Sequence, residues 1–130
     1  MNLTEFAKEV HQNAVEHGWW ETERAFGEII ALCHCELSEA MEEYRNKKPF
    51  VYVLRDTSSC PQIEIHLREI TDIDAFKPTE KPEGIATELA DCILRILDYC
   101  GKENIDIETI IKTKHEYNKT RPYKHGGKQV

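Results

Sequence analysis

The stretch IATELADCILRILDYC, residues 85–100, decides the fold that the sequence predicts. Its apolar residues recur at helical spacing and occupy most of the circumference, which predicts a central helix over residues 83–100, closed by Gly101. Glu88 and Asp91 stand three positions apart in this helix, beside its apolar face. A helix with so little polar surface needs other helices to cover it.

Three further helices are predicted around the central one. The first covers residues 3–17 and ends at Gly18, and the second runs from about residue 23 to 46 with Thr22 as its N-cap. The fourth covers residues 106–120 and stops before Pro122. The second helix carries a helix-period apolar stripe made of Phe26, Ile29, Ile30, Cys33, Leu37, Ala40, Met41 and Tyr44.

Residues 47–82 have a different character and predict a small insertion. The segments PFVYVLRD and QIEIHLREI are rich in β-branched and aromatic residues, the second alternates apolar with polar positions, and TSSCP between them predicts a turn. The predicted fold class is therefore mainly α, with a four-helix-bundle-like core and a small β-hairpin insertion between the second and third helices. We expect a single domain over residues 1–130, with residues 122–130 as a flexible tail.

Charge and hydropathy exclude several classes of protein. The formal net charge of −7 disfavours duplex nucleic acid as a partner, although residues 112–129 are basic. No segment approaches the ~20 apolar residues that span a bilayer, and the amino-terminal residues are polar rather than signal-like. We therefore expect a cytoplasmic protein without membrane contact.

The cysteines do not predict a zinc site. Five cysteines, an odd number, indicate reduced thiols that pack as small apolar groups. The sequence Cys33-His34-Cys35 resembles a metal-binding pattern, but on a helix three consecutive side chains point in three directions.

Two acidic pairs with equal spacing are the strongest functional signal. Glu36 and Glu39 flank the apolar stripe of the second helix, as Glu88 and Asp91 flank that of the third. If the helices pack by their stripes, the four carboxylates converge and need a counter-charge. Oxygen ligands of this kind suit Mg²⁺ or Mn²⁺. The alternative is that each pair belongs to a solvated helix face.

The same residues resemble the signature of a known superfamily. ELSE at 36–39 and ELAD at 88–91 are similar to the ExxE…ExxD signature of the MazG-like all-α nucleoside triphosphate pyrophosphohydrolases, with dimeric dUTPase and dCTP pyrophosphatase relatives. The resemblance implies Mg²⁺-dependent hydrolysis of a (deoxy)nucleoside triphosphate to the monophosphate and pyrophosphate. It implies that Glu36, Glu39, Glu88 and Asp91 bind the metal and that Glu39 is the catalytic base. The insertion makes the interval between the pairs longer than in compact members.

Substrate contacts are expected in two places. Lys114, Asn118 and Arg121 would share a helix face that could meet phosphates and a sugar, or they could simply complement the helix dipole. Trp20 and His11 stand where dCTP-preferring relatives of the superfamily have base-contacting residues. For these two the alternatives are a hydrophobic plug and an ordinary surface or seam histidine.

The leading interpretation is thus an enzyme that acts on a nucleoside triphosphate substrate and removes unwanted nucleotides from the cellular pool. A single chain of four helices covers its apolar third helix poorly, and enzymes of the superfamily it resembles form homo-oligomers. We therefore expect a homodimer or homotetramer. The competing interpretation is a non-enzymatic helical interaction module that binds a basic partner through an acidic helix face.

Overall fold

The computed structural model describes residues 1–55, 63–66, 80–127 and 129, and for residues 63–66 and 125 only the backbone. The prediction of a mainly helical chain is confirmed for these residues, and none of their helices is long and apolar enough to cross a membrane. The elements in chain order are α1 (Leu3–Glu16), α2 (Phe26–Arg45), β1 (Tyr52–Arg55), β2 (Ile63–His66), α3 (Ile85–Lys102), α4 (Ile107–Lys119) and the four-residue α5 (Lys124–Gly127).

Short polar side chains begin two of the helices. Asn2 accepts a hydrogen bond from the backbone N–H of Glu5 at the start of α1, and Asp106 accepts one from Thr109 at the start of α4. The prediction of Thr22 as the N-cap of α2 is wrong. The chain stays non-helical until Ala25, which has an extended backbone and makes no side-chain cap.

The two strands lie within the predicted insertion. β1 and β2 pair in antiparallel fashion, with Tyr52 opposite His66 and Arg55 opposite Ile63. The predicted turn TSSCP and residues 67–79 fall outside the described residues. A hairpin insertion that spans residues 47–82 therefore stays a prediction.

The chain divides into two compact units, and α3 contributes residues to both. The first unit contains residues 1–23 and 97–130, and the second contains residues 24–96. In the first unit a buried cluster of Ala7, Leu97 and Cys100 joins α1 to the end of α3. The partly buried side chains packed against this cluster are Phe6, Val10, Ile105 and Ile107.

Gly101 does not close α3, as the sequence suggested, because the helix continues to Lys102. The lack of a side chain at Gly101 lets α1 approach the end of α3. A Cβ atom at this position would lie 2.4 Å from the carbonyl oxygen of Ala7 and 2.7 Å from the Cβ of His11. Only glycine fits such a contact between helices without a backbone shift.

In the second unit the apolar stripe of α2 is only half buried. Ile29, Cys33 and Ala40 are buried, as are Cys92 of α3 and Tyr52 and Val53 of β1. The other large apolar residues of the stripe are exposed, namely Phe26, Ile30, Leu37, Met41 and Tyr44.

We expect Gly101→Ala to lower the free energy of unfolding by about 1–3 kcal/mol, because the added methyl group overpacks the contact with α1. Urea denaturation of the purified protein measures this change. Gly27→Ala is the matched control, since a Cβ atom there meets nothing within 4 Å. In a helix that change should be neutral or stabilising by up to about 1 kcal/mol. Equal effects of the two substitutions would contradict the close approach.

Candidate functional site

α2 and α3 meet in the second unit at a seam that contains Cys33 and Cys92. Cys33 and Cys92 are both buried, and burial, together with the neighbouring Cys92, raises the pKa of Cys33 above its ordinary value. His34 and Cys35 are exposed, so the Cys-His-Cys segment points in different directions. The acidic residues that flank Cys33 on α2 and Cys92 on α3 also lie close together.

Three of the predicted metal ligands form a carboxylate cluster. Glu36, Glu88 and Asp91 each offer one oxygen atom, and these oxygens lie within 4.8 Å of one another. Both motifs, ELSE and ELAD, thus contribute to one group of carboxylates. The donor set consists of oxygen atoms alone, and this chemistry fits Mg²⁺ or Mn²⁺.

Glu36 is the buried member of the cluster, with 7% of its surface exposed. The Nε of Arg95 donates a hydrogen bond to its Oε1 over 2.6 Å. Burial works against ionisation of this carboxyl, but the hydrogen bond and the positive charge of Arg95, with contacts to Glu39 and Glu88, outweigh it and hold the pKa of Glu36 below its ordinary value. Glu36 is therefore an anion in the folded protein at neutral pH.

The remaining two carboxyls of the cluster are shifted in the opposite direction. Burial, a hydrogen bond with Glu39 and the nearby negative charges raise the pKa of Glu88 to about 7. Burial and the charge of Glu36 raise the pKa of Asp91. The metal-free cluster therefore holds more protons near neutral pH than separate carboxylates would.

Glu39, the proposed base, lies at the solvent side of this group. Its side chain is exposed, and it is in hydrogen-bonding contact with Glu36 and Glu88. Among the described residues it is not one of the three whose oxygens lie within 4.8 Å of one another. It contacts the cluster while keeping access to water.

A second trio of carboxylates shares Glu88 with the cluster. Glu43, Glu83 and Glu88 also offer oxygens within 4.8 Å of one another. The hydroxyl of Tyr52 donates to both oxygens of Glu43 at 3.1 Å, and the backbones of Tyr52 and Glu83 exchange two hydrogen bonds. The start of the insertion therefore fixes Glu83 beside the cluster.

The sequence marks Glu43 either as an additional ligand or as a solvated residue, and it does not mark Glu83. No local pattern marks Glu83, because its position depends on a backbone pairing with Tyr52, thirty-one residues earlier. Glu43 does follow Glu36 and Glu39 at helical spacing, and this was the available signal.

In the first unit Asp98 brings together the two predicted base-contacting residues. The indole Nε1 of Trp20 donates to the Asp98 carboxylate at 3.0 and 3.1 Å, and His11 Nδ1 lies 2.8 Å from Asp98 Oδ1. The rings of His11 and Trp20 meet edge to face, 5.5 Å apart. The sequence analysis missed Asp98, although a carboxylate among the apolar residues of α3 was a signal that a polar partner was needed.

The predicted phosphate-binding residues are only partly brought together. Lys114 and Asn118 are exposed on α4, but the helix ends at Lys119, so Arg121 does not continue its face. Instead both cations lie near the ring of Tyr117, with Lys114 Nζ 4.7 Å and Arg121 Cζ 6.0 Å from its centroid. A shallow depression of about 440 Å³ beside them is lined by Ile110, Thr113, Lys114 and Tyr117.

No protein-family model, curated protein or solved structure was found to match this chain. The resemblance to the MazG-like superfamily therefore stays a prediction, carried by the two acidic motifs and their helical setting.

The raised pKa of Glu88 predicts how stability depends on pH. A glutamate has a pKa near 4.5 in the unfolded chain and about 7 here, so the folded state binds the extra proton between these values. The contribution of Glu88 to stability is then lost as pH rises from about 4.5 through 7. We expect Glu88→Gln to flatten this part of the profile and to stabilise the metal-free protein at pH 8 by about 2 kcal/mol, allowing for partial exposure.

Chemical denaturation at several pH values in the presence of a chelator measures this effect. Glu42→Gln is the control, because Glu42 is exposed on α2 and lies outside both groups of carboxylates. A Glu88→Gln protein that is less stable than the wild type at pH 8 would contradict the strained cluster.

Proposed function

We propose that this protein is a metal-dependent nucleoside triphosphate pyrophosphohydrolase, which converts a (deoxy)nucleoside triphosphate to the monophosphate and pyrophosphate. The observation that carries the proposal is the meeting of Glu36 from ELSE with Glu88 and Asp91 from ELAD. Two separate motifs with the same spacing supply one set of hard oxygen donors. A cytoplasmic location and a role in removing unwanted nucleotides go with this proposal.

The carboxylates fit the cation that the resemblance implies. Glu36, Glu88 and Asp91, together with Glu39, would hold Mg²⁺ or Mn²⁺, which neutralises phosphate charge and makes water more acidic. Cation binding also relieves the repulsion that raises the pKa values of Glu88 and Asp91. The side chains that strain the metal-free fold are thus the ones that a metal would stabilise.

Glu39 has the position that a general base needs. Its exposed carboxylate accepts a proton from water while the water oxygen bonds to phosphorus and the α–β bridging P–O bond breaks, releasing pyrophosphate. The contacts with Glu36 and Glu88 orient this carboxylate beside the cluster. Bulk water can then take up the proton from Glu39 after each turnover.

In the first unit, two groups of side chains are proposed as contacts for a nucleobase and for phosphates. Trp20 and His11, oriented by Asp98, offer an aromatic surface and a ring nitrogen that suit a nucleobase. Lys114, Asn118 and Arg121 provide positive charge and polar groups for phosphates and sugar.

The test is an assay of pyrophosphate release. Purified protein is incubated with Mg²⁺ and a panel of canonical and modified nucleoside triphosphates. We expect activity on at least one of them, and a loss of about 100-fold or more in Asp91→Asn and Glu39→Gln, because each removes a charge from the site. Reaction in isotope-labelled water identifies the phosphorus that is attacked.

The matched control is Glu42→Gln, which removes the same charge from the exposed face of α2 and should keep full activity. Absence of activity on every triphosphate, together with no Mg²⁺-dependent thermal shift, would exclude the enzyme and favour the interaction module. Full activity in both Asp91→Asn and Glu39→Gln would retain the enzyme and exclude this site.

We further propose that the functional form is a homodimer or a larger homo-oligomer, held through an apolar flank. On α2 and α3 this flank lies on the opposite side of the cysteine seam from the carboxylates, since residues in a helix turn by about 100° each. Its seven large apolar side chains are 39–69% exposed, and clustered exposed apolar side chains favour an interaction surface. They are Ile30, Leu37, Met41, Tyr44, Leu89, Ile93 and Ile96.

The oligomer is tested by light scattering during size-exclusion chromatography. We expect a mass of about twice the 15.2 kDa of one chain, or a higher multiple, and dissociation by Ile93→Glu, which places a charge in the apolar flank. Ile110→Glu on α4 is the control, because Ile93 and Ile110 are 54% and 53% exposed and only Ile93 belongs to the flank. A monomeric wild type would contradict the proposal.

A further inference from the structure

Arg95 is a cation in direct contact with the carboxylate cluster. Its Nε lies 2.6 Å from Oε1 of Glu36, and its charge also lowers the pKa of Asp91, against the effects of burial and of Glu36. The Glu36 side chain is 9% exposed and that of Arg95 37%. Arg95 therefore reaches into the cluster from a partly open position.

A buried carboxylate needs a counter-charge, and Arg95 supplies one in the metal-free protein. Removing the partner of a buried charge destabilises proteins strongly, because the remaining charge is desolvated and unpaired. A divalent cation held by Glu36, Glu88 and Asp91 would supply the same neutralisation through the same oxygens. Since Glu36 is nearly enclosed, it has little room for both cations at once.

We propose that Arg95 is an internal counter-ion that occupies the place of the metal and leaves Glu36 when a divalent cation binds. Arg95 thereby stabilises the metal-free fold and weakens metal binding, so that it sets the metal affinity of the site. The inference rests on the proposed function, since it takes the carboxylate cluster as the metal site.

Lys81 allows direct exchange to be separated from simple electrostatics. Its Nζ pairs with Glu83 at 3.4 Å, and its charge acts on Glu88 and Asp91 from a side chain that is 80% exposed. Loss of either cation makes the cluster more negative. Only Arg95 holds an oxygen that the metal would need, so only its removal should change the affinity strongly.

The experiment is a calorimetric titration of the metal-free, full-length protein with Mn²⁺ at fixed ionic strength. Arg95→Met should tighten binding by about tenfold or more, which corresponds to the loss of one competing charged contact. Lys81→Met should tighten it by no more than about threefold, as expected for an exposed charge. Arg95→Gln, which can still donate a neutral hydrogen bond to Glu36, should fall between them and carries the test if Arg95→Met does not fold.

Thermal unfolding gives a second measurement that a purely structural role of Arg95 would not produce. Without metal, the Arg95 variants should melt below the wild type, because Glu36 loses its partner. Saturating Mn²⁺ should raise their Tm by more than it raises that of the wild type, since tighter binding adds more stability at equal metal concentration.

The outcomes separate the two proposals. Binding of Mn²⁺ by the wild type with no tightening in the Arg95 variants, or with equal tightening in Lys81→Met, overturns the counter-ion inference alone. No binding of Mn²⁺ by the wild type or by any variant overturns the metal site and with it the proposed function.

Discussion

The structure of the second unit depends on the placement of carboxylates against a seam of small side chains. Cys33 and Ala40 of α2 and Cys92 of α3 are buried, and oxygens of the acidic residues beside them lie within 4.8 Å of one another. Burial and repulsion act against ionisation of these carboxyl groups. Glu36 stays ionised because Arg95 donates a hydrogen bond to it, whereas the pKa of Glu88 is raised to about 7. The cluster therefore brings together carboxyl groups whose negative charges repel one another.

Glu88 connects the cluster to the segment that interrupts the helices. It belongs to both groups of carboxylates, and the second group is fixed by Tyr52, which binds the Glu43 carboxylate through its hydroxyl and Glu83 through its backbone. A bidentate ion pair between Arg55 and Glu80 adds a further link between β1 and the segment before α3. Residues at the beginning and at the end of the predicted insertion therefore contact or belong to the second group of carboxylates.

The two flanks of the α2–α3 seam differ in chemistry, one being acidic and the other apolar. The acidic flank gathers negative charges, and the apolar flank leaves large apolar side chains exposed among the described residues. A second copy that covers the apolar flank would leave the acidic flank open to a metal and its ligand. In the first unit, Asp98 illustrates another constraint, because a carboxylate on an apolar helix is tolerated when Trp20 and His11 satisfy it.

The sequence alone determined the helices and the meeting of the two acidic motifs. Apolar periodicity is a local property of each helix, and equal spacing beside two apolar stripes places Glu36, Glu88 and Asp91 at one seam once those stripes pack. Tertiary structure decided the rest: the counter-charge from Arg95, the recruitment of Glu83 through Tyr52, the role of Asp98, and the burial of only half the α2 stripe. These depend on contacts between residues far apart in the chain, whose partners are set by packing distances and desolvation rather than by any local pattern.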